Sequence, residues 1–413
     1  MLINSIKYPS ILVEIIRFKS FKFFIFEAVM KKITLLFLIG IFLFSCQSSE
    51  ELKLKKEKEK LNYHVKFNKV DNQFIKAKKQ NALNFYNDYL GSDRFNGMFL
   101  VAKNGKILLE KYNGYANYEQ KKEISSSTPL HLASISKVST CIAILRLVDQ
   151  KKILLDEDIR NFLPEIPYEG ISVRMLLNHR SGIPYYGYFT YNSWPLSKPL
   201  TNRDVLLLLK KYKFPLNFKP DNHFAYCNTN YALLALIVEK VTDLRFAKAM
   251  EELVFKPLKM TNSFILDKSR NYDSVAQSYN SNMVRQRFDY LDYVYGDKNM
   301  FSTVRDLLKL DKGTYSNNFL SKSSKEQMFK GYSYENAGTK NYGLGIRMVE
   351  LENKDPYFFH TGWWHGNTGC YATLRGDTVC IIALSNSYDR NVYQIKRLTP
   401  YFGNYPFEFE DEE

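Results

Sequence analysis

The chain has 413 residues, 45% of them apolar, which is enough for one large domain or two ordinary ones with a buried core. Its formal net charge is +15, but the lysines are scattered and no fold signature of a nucleic-acid-binding protein accompanies them, so we expect a basic solvated surface and no nucleic-acid partner. No CxxC or HxxxH spacing indicates a metal site, and we expect neither a metal nor another cofactor.

The N-terminal region predicts export. From Met30 the chain reads MKKITLLFLIGIFLFSCQSSE, in which two lysines precede an apolar run and then small residues, the layout of a secretory signal. The apolar run is too short for a comfortable membrane span. We therefore predict an upstream extension over residues 1–29 and a signal peptide over residues 30–45. An uncleaved signal anchor is the alternative, and either would take the protein out of the cytoplasm.

A tether is predicted after the signal. LFSC at 43–46 resembles a bacterial lipoprotein box, which implies that Cys46 becomes a lipidated N-terminus and anchors the protein to a membrane of the cell envelope. Residues 46–78 include the charged, low-complexity stretch QSSEELKLKKEKEKLN, which indicates a linker. Export also permits disulfides, and Cys370 and Cys380 are one possible pair.

The predicted elements begin with a helix at KQNALNFYNDYL, from residue 79, and a β-hairpin at FNGMFLVAKNGKILLEKYNGYAN, which turns at Asn104-Gly105. A helical pattern starts at Ser134. More helical patterns follow in VRMLLNH, NRDVLLLLKKY, NYALLALIVEKVT and TVRDLLKL. Strand patterns return in NYGLGIRMVEL, YFFHTG, GCYATLRG and DTVCIIALSN, before a helix-like YQIKRLTPYF.

This order predicts an α+β fold. Strands at both ends of the chain would form one antiparallel sheet flanked by helices, and a mainly helical subdomain would be inserted between them. We assign this domain to residues 79–402 and an acidic tail to residues 403–413.

The stretch HLASISKVST carries the first chemical signal. Ser134 and Lys137 are three residues apart, so on a helix their side chains share one face and can touch. A serine hydroxyl is a poor nucleophile until a base removes its proton, and a lysine in apolar surroundings can be that base. A capping serine beside an exposed lysine is the alternative interpretation of the tetrapeptide alone.

Several longer segments resemble the serine β-lactamase and penicillin-binding-protein superfamily, in particular its class-C-like branch of D-amino-acid peptidases, esterases and β-lactamase-like proteases. Their order along the chain matches that branch over most of residues 95–390. They are TPLHLASISKVST, ISVRMLLNHRSGIP, FAYCNTNYALLALIVEKVT, FKPLKMTNSF, GDKNMFSTVRDLLKL and FFHTGWWHGNTG. The resemblance implies the β-lactamase/transpeptidase-like fold.

The resemblance also implies roles for single residues. Ser134 would be the acylated nucleophile and Lys137 its base. Tyr226 and Asn228 match the family's Y-x-N motif, in which Tyr226 would carry a proton to the leaving group and Asn228 would bind a substrate amide.

The third family motif departs from its usual K-T-G form. Here it is His360-Thr361-Gly362, and these residues would contact substrate. Histidine is mostly neutral near pH 7, whereas lysine offers a fixed positive charge, so the motif argues against a dedicated antibiotic-degrading lactamase. By resemblance, Trp363 would supply the second oxyanion N–H. His365 is interpreted as a surface-loop residue.

The sequence therefore predicts an envelope-anchored serine hydrolase that acts on a small-molecule or peptide substrate through acyl-Ser134. The scissile bond would be an amide, peptide or ester bond, and a cell-wall D-amino-acid peptide is one candidate. The alternative is a penicillin-binding-type sensor or wall-binding protein that acylates with negligible turnover. The oligomeric state is not indicated.

Overall fold

The computed structural model describes residues 30, 63, 65–91, 95–268, 270–335 and 338–408. The chain divides into a unit of residues 1–62 and a unit of residues 63–413, and every element described below belongs to the second. The predicted extension, the signal peptide after Met30, the lipidation site at Cys46 and the first part of the linker lie outside the described residues. Each helix in the described ranges is too short or too polar to cross a bilayer.

A seven-stranded antiparallel sheet is the centre of the fold. Its strands are β1 (Gly97–Lys103), β2 (Lys106–Asn113), β10 (Lys340–Tyr342), β11 (Arg347–Val349), β12 (Tyr357–Trp364), β13 (Asn367–Leu374) and β14 (Val379–Ser385). Their order across the sheet is β10-β11-β12-β13-β14-β1-β2. β1 pairs with β14 along its whole length, with Gly97 opposite Ser385 and Lys103 opposite Val379. The prediction of one sheet built from both chain ends is confirmed.

Shorter strands lie between β2 and β10 in the chain. They are β3 (Tyr115–Asn117), β4 (Lys122–Glu123), β5 (Leu130–His131), β6 (Phe264–Ile265), β7 (Ser278–Tyr279), β8 (Arg285–Gln286) and β9 (Met300–Ser302). β9 pairs with both β5 and β6, so it ties the segment before the predicted nucleophile to a distant part of the chain.

Helices are the main regular elements in the middle of the chain. They are α1 (Asn72–Phe85), α2 (Ser136–Asp149), α3 (Val173–Leu177), α4 (Tyr186–Ser193), α5 (Asn202–Tyr212), α6 (Asn228–Thr242), α7 (Phe246–Met250), α8 (Val304–Tyr315), α9 (Lys322–Met328) and a 3₁₀ helix over Arg390–Tyr401. All except α1 and the 3₁₀ helix fall between β2 and β10. The inserted, mainly helical subdomain is therefore confirmed.

The sheet has a hydrophobic layer on each face, because successive side chains of a strand point to opposite sides. On β1, Met98 and Leu100 pack into the cluster that contains α2 and α6. Phe99 and Val101 pack into the cluster with α1 and the C-terminal 3₁₀ helix. A strand that is covered on both faces has a mainly apolar sequence without alternation, and β1 (GMFLVAK) has such a sequence.

Local sequence signals explain two element ends. The predicted hairpin turn is present, and Asn104 and Gly105 have φ of 51° and 68°, the left-handed values that an Asn-Gly turn requires. The first helix begins at Asn72 rather than near residue 79, because Asp71 caps it by accepting a hydrogen bond from the Phe74 N–H at 2.9 Å.

The four described cysteines are buried, and each is a thiol rather than part of a disulfide. Cys370 and Cys380 lie on the adjacent strands β13 and β14, but Cys370 packs on one face of the sheet and Cys380 on the other. Their possible pairing is therefore wrong.

Candidate active site

Ser134 lies in a short 3₁₀ turn, Ala133–Ile135, between β5 and α2. The residue before it, Ala133, has φ of 47°, a left-handed conformation that is uncommon for a residue with a β-carbon. The buried His131 holds this backbone, since its Nδ1 accepts a hydrogen bond from the Ala133 N–H at 3.0 Å. The turn leaves Ser134 half-buried at the wall of a cavity.

Lys137 reaches the serine from the first turn of α2. Its side chain is completely buried, and Nζ lies 2.9 Å from Ser134 Oγ. Nζ also donates to the carbonyl oxygen of Asp297 at 2.8 Å and lies 5.0 Å from the centre of the Tyr226 ring. The amine and hydroxyl are thus within direct proton-transfer distance.

Tyr226 and Asn228 stand at the N-terminus of α6 and line the same cavity. The Tyr226 hydroxyl and the Asn228 carboxamide oxygen are buried, and neither has a hydrogen-bond partner among the described residues. Buried polar atoms are normally paired. The two residues therefore bring polar atoms without a described partner to the wall of the cavity.

β12 brings the third motif to the nucleophile. Thr361 and Trp363 line the cavity, and the Trp363 side chain is 53% exposed. Gly362 is required by close packing, because a β-carbon there would overlap the Leu132 carbonyl oxygen and lie 3.3 Å from the Ser134 nitrogen. The backbones of the strand and the nucleophile turn are therefore in contact.

His360 lies behind this wall and is not among the residues that line the cavity. Its Nδ1 donates to the Thr361 carbonyl oxygen at 2.6 Å, so Nε2 accepts from the Tyr342 hydroxyl at 3.1 Å. Burial, together with the positive charges of Arg347 and Lys137, holds the pKa of His360 well below its usual value. A neutral ring that supports Thr361 from behind is the geometry observed.

The cavity has a volume of about 420 Å³ and contains Ser134. Its other lining residues are mostly aromatic or polar: Tyr185, Tyr188, Tyr226, Asn228, Arg347, Thr361, Trp363 and Trp364. A second cavity of about 680 Å³ lies at α7 and β6 and includes none of the predicted site residues. Size alone therefore does not locate the chemistry, and the convergence of the three motifs does.

Arg347 was not predicted from the sequence. It projects from β11 into the cavity, and its guanidinium lies 4.9 Å from the centre of the Tyr226 ring. Its Nε is buried without a partner, and no ion pair joins it to a carboxylate in the described part of the chain. No local sequence pattern indicates that Arg347 lines this cavity, because its strand β11 is brought to the site by pairing with β12.

A buried charge cluster also escaped prediction. Lys298 Nζ lies 2.6 Å from the Tyr186 hydroxyl, which donates to Asp297 Oδ2 at 2.7 Å. Burial lowers the pKa of Lys298, and the neighbouring Asp297 opposes this shift. The adjacent charged residues Asp297 and Lys298 in GDKNMF were the sequence signal for this cluster.

His365, interpreted from the sequence as a surface-loop residue, is instead mostly buried, with Nε2 3.0 Å from Asp292 Oδ2.

The site defines the class of serine acyl-transfer enzymes. Its features are a serine and a buried lysine at one helix start, a Y-x-N segment and a glycine-containing strand. The sequence model of the family described as Beta-lactamase matches residues 79–399. The chain belongs to this family and is a serine hydrolase of the β-lactamase and penicillin-binding-protein superfamily.

Individual relatives agree with this assignment. The chain is 30% identical to penicillin-binding protein 4* of Bacillus subtilis over 337 residues, which cover 78% of this chain and 74% of the relative. It is 23% identical to a D-aminopeptidase of Brucella anthropi over 264 residues, 62% of this chain and 50% of the relative. A penicillin-binding protein from Bacillus halodurans has the same fold, with a TM-score of 0.66 at 22% identity over 75% of this chain and 96% of that one.

Proposed function

We propose that this protein is an envelope-anchored serine hydrolase that cleaves an amide, peptide or ester bond through an acyl-enzyme on Ser134. The observation that carries the proposal is the 2.9 Å approach of the buried Lys137 Nζ to Ser134 Oγ, beside a cavity large enough for a substrate. A buried amine next to a serine hydroxyl can act as the general base that removes the hydroxyl proton.

In the first step, Lys137 takes the hydroxyl proton while Ser134 Oγ bonds to the carbonyl carbon of the substrate. Negative charge then develops on the carbonyl oxygen. The backbone N–H groups of Ser134 and Trp363 would stabilise it, since the close approach of Gly362 brings their two segments together. Donors of this kind are typically worth about 10²- to 10³-fold in rate.

In the second step, the bond to the leaving group breaks and the leaving amine or alcohol needs a proton. Tyr226 would pass that proton, since its ring centre lies 5.0 Å from Lys137 Nζ and its hydroxyl has no hydrogen-bond partner among the described residues. Water then attacks the ester carbon of acyl-Ser134, the acid is released, and the hydroxyl of Ser134 is restored. Asn228 would bind the amide of the acyl part through its free carboxamide oxygen.

The cavity suggests the substrate class. Arg347 supplies a cation with no carboxylate partner among the described residues, so a substrate carboxylate is its natural ligand. Tyr185, Tyr188 and Trp363 offer apolar surface for the rest of the molecule. A peptide that ends in a free carboxylate fits both features, and the name of one relative, a D-aminopeptidase, favours a D-amino acid in the substrate.

The cellular location belongs to the same proposal. It is supported by the lysine pair, apolar run and LFSC box that end at Cys46, followed by a charged linker. The partners of the protein would then be a membrane, through the lipid anchor, and a peptide or other small substrate in the envelope.

Turnover of matched substrates tests the proposal. A peptide with a C-terminal D-amino acid, the same peptide as its C-terminal amide, and a simple aryl ester would be incubated with the wild-type protein, Ser134→Ala and Lys137→Ala. We expect Ser134→Ala to abolish hydrolysis of all three and Lys137→Ala to lower it by at least about 100-fold. Hydrolysis that survives Ser134→Ala would refute the mechanism. A stable adduct on Ser134 without product release would favour the sensor or wall-binding alternative.

A further inference from the structure

We propose that His179 is the positioning residue for Tyr226, and so controls proton transfer to the leaving group without touching substrate. The inference rests on the proposed function, in which Tyr226 passes that proton. His179 lies in the loop between α3 and α4, outside the three catalytic motifs.

Three of the contacts that His179 makes are with Tyr226 or with the residues directly before and after it. Its carbonyl oxygen accepts from the Ala225 N–H at 3.0 Å, and its Nδ1 accepts from the Cys227 N–H at 3.1 Å. Its ring lies against the Tyr226 ring, with 4.3 Å between the ring centres and 39° between the planes. The residues before and after Tyr226, and the tyrosine ring itself, are thus all fixed by one side chain and its backbone.

The protonation state of His179 follows from the hydrogen bond. Because Nδ1 accepts from a backbone N–H, the ring proton of the neutral imidazole resides on Nε2. Nε2 is buried and has no partner in the described ranges. The side chain is fully buried among Tyr226, Tyr231 and Tyr342, and burial, with the nearby charge of Lys137, holds the pKa of His179 well below its usual value.

The backbone at this position is also unusual. His179 has φ of 59°, a left-handed conformation that few residues other than glycine and asparagine adopt readily. This conformation and the unpaired Nε2 occur at a residue whose carbonyl oxygen, Nδ1 and ring all contact Ala225, Tyr226 or Cys227. Strain and unmet polar groups of this kind cluster where geometry serves function.

The neighbouring loop residues contact the same segment but not Tyr226 itself. Ser181 Oγ donates to Asn230 Oδ1 at 2.6 Å, and Thr229 Oγ1 donates to the Pro184 carbonyl oxygen at 2.8 Å. The loop therefore fixes the start of α6 as a whole, and His179 is the member that determines where the Tyr226 ring lies above Lys137.

Three variants of the full-length protein separate the acceptor from the ring. His179→Asn places a carboxamide oxygen close to the position of Nδ1 and tolerates the left-handed backbone. His179→Gln moves the acceptor one bond further out, and His179→Phe keeps a ring without an acceptor. We expect kcat on an amide substrate to fall about 10- to 100-fold in His179→Gln and His179→Phe, with KM within about twofold, and His179→Asn to recover most of the loss.

Combining His179→Phe with a Tyr226 substitution shows whether His179 acts through Tyr226. Tyr226→Phe keeps the ring and removes the hydroxyl, so His179→Phe added to it should lower kcat less than about threefold further, whereas unrelated losses would multiply. Melting temperatures of all variants and the half-buried His223→Asn control show whether they are folded. If His179→Gln and His179→Phe are folded and keep wild-type kcat, or if the double variant is fully multiplicative, the inference is wrong. A wild-type protein that neither labels at Ser134 nor hydrolyses any substrate would overturn the proposed function, and this inference with it.

Discussion

Gly362 is the residue at which the sheet and the nucleophile turn come closest. Substitution by alanine would push its β-carbon against the Leu132 carbonyl oxygen, and a backbone atom cannot move aside as a flexible side chain can. We expect Gly362→Ala to lower the free energy of unfolding by about 1–3 kcal/mol and the rate of hydrolysis by about 100-fold, because displacements of about 1 Å at a reacting centre have costs of that size.

The matched control for this prediction is Gly376→Ala, in the turn between β13 and β14. Its β-carbon would meet the Tyr405 hydroxyl at 3.3 Å, a side-chain atom far from Ser134. Urea unfolding and ester hydrolysis would be measured for both variants. Equal activity of Gly362→Ala and Gly376→Ala would show that the close approach of the strand is not needed for catalysis.

Arg347 gives a prediction about substrate choice. A hydrogen bond between an arginine and a carboxylate is among the stronger polar contacts, so Arg347→Gln should lower kcat/KM about 10- to 100-fold for a peptide with a free C-terminal carboxylate. The same substitution should lower hydrolysis of a neutral ester far less. Arg285→Gln, on the exposed strand β8, is the control. Equal losses on both substrates would mean that Arg347 maintains structure and does not select a carboxylate.

The site residues differ in how far the sequence alone could locate them. Ser134 and Lys137 are three residues apart on one helix start, so their contact follows from local geometry. The second partner of Lys137 is Asp297, which is 160 residues away in the chain. Arg347 and His179 likewise reach the site through long-range packing. No local pattern distinguishes such residues from ordinary loop or strand residues, and so they were missed.

At the scale of elements, β5 and the turn after it form a unit that depends on the neutral form of His131. Its Nδ1 accepts from the Ala133 N–H, and its Nε2 donates to Asn299 Oδ1 at 3.2 Å. Burial lowers the pKa of His131 to about 4. Protonation would remove the acceptor that holds the left-handed Ala133 directly before the nucleophile.

A pH dependence of stability follows. In the unfolded chain His131 has the usual histidine pKa of about 6.5 and binds a proton below that pH. In the folded chain its pKa is about 4, so it stays neutral until the pH is much lower. The contribution of His131 is therefore fully present above about pH 6.5 and is lost as the pH falls towards 4. The loss is at most about 3 kcal/mol. His131→Asn keeps an acceptor for the Ala133 N–H and removes the titration. Urea unfolding at pH 7 and pH 4.5 should show a smaller decrease in the variant than in the wild type, and an equal decrease would contradict the assignment.

The sequence predicted which segments are helices or strands more accurately than it predicted where they begin and end. The hairpin at Asn104-Gly105 and the long helices carry strong periodic and turn signals, and they are present. The last predicted helix is a 3₁₀ helix that contains Pro400, a residue that cannot donate to an α-helical hydrogen bond. The start of α1 at Asn72 depends on a cap by Asp71, which lies inside the stretch assigned to the linker.

At the scale of the whole molecule, the sheet makes the two ends of the chain depend on each other. β1 and β2 come from residues 97–113, whereas the five strands on the other side of the β1–β14 pairing come from residues 340–385. Strand patterns at both ends of the chain, with helical patterns between them, indicated this arrangement, and the resemblance to a known family made it specific. The register of β1 against β14 could not be predicted, because both strands are buried on both faces and lack an alternating polar pattern.

Truncation tests this dependence. A fragment of residues 63–320 keeps β1 and β2 but loses every strand to which β1 would pair on its inner edge. We expect it to show no cooperative thermal transition by circular dichroism, whereas residues 63–413 should unfold in one transition. A sharp transition in the fragment would show that the helical subdomain folds without the sheet.

The measurement that tests the central claim most directly is intact-mass labelling of the full-length protein with a fluorophosphonate and, separately, with a penicillin. Peptide mapping would locate the adduct, and Ser134→Ala and Lys137→Ala would be the controls. We predict a single fluorophosphonate adduct on Ser134, absent from Ser134→Ala and formed at least about 100-fold more slowly in Lys137→Ala. An adduct elsewhere, or labelling of Ser134 at an unchanged rate without Lys137, would contradict the assignment of nucleophile and base.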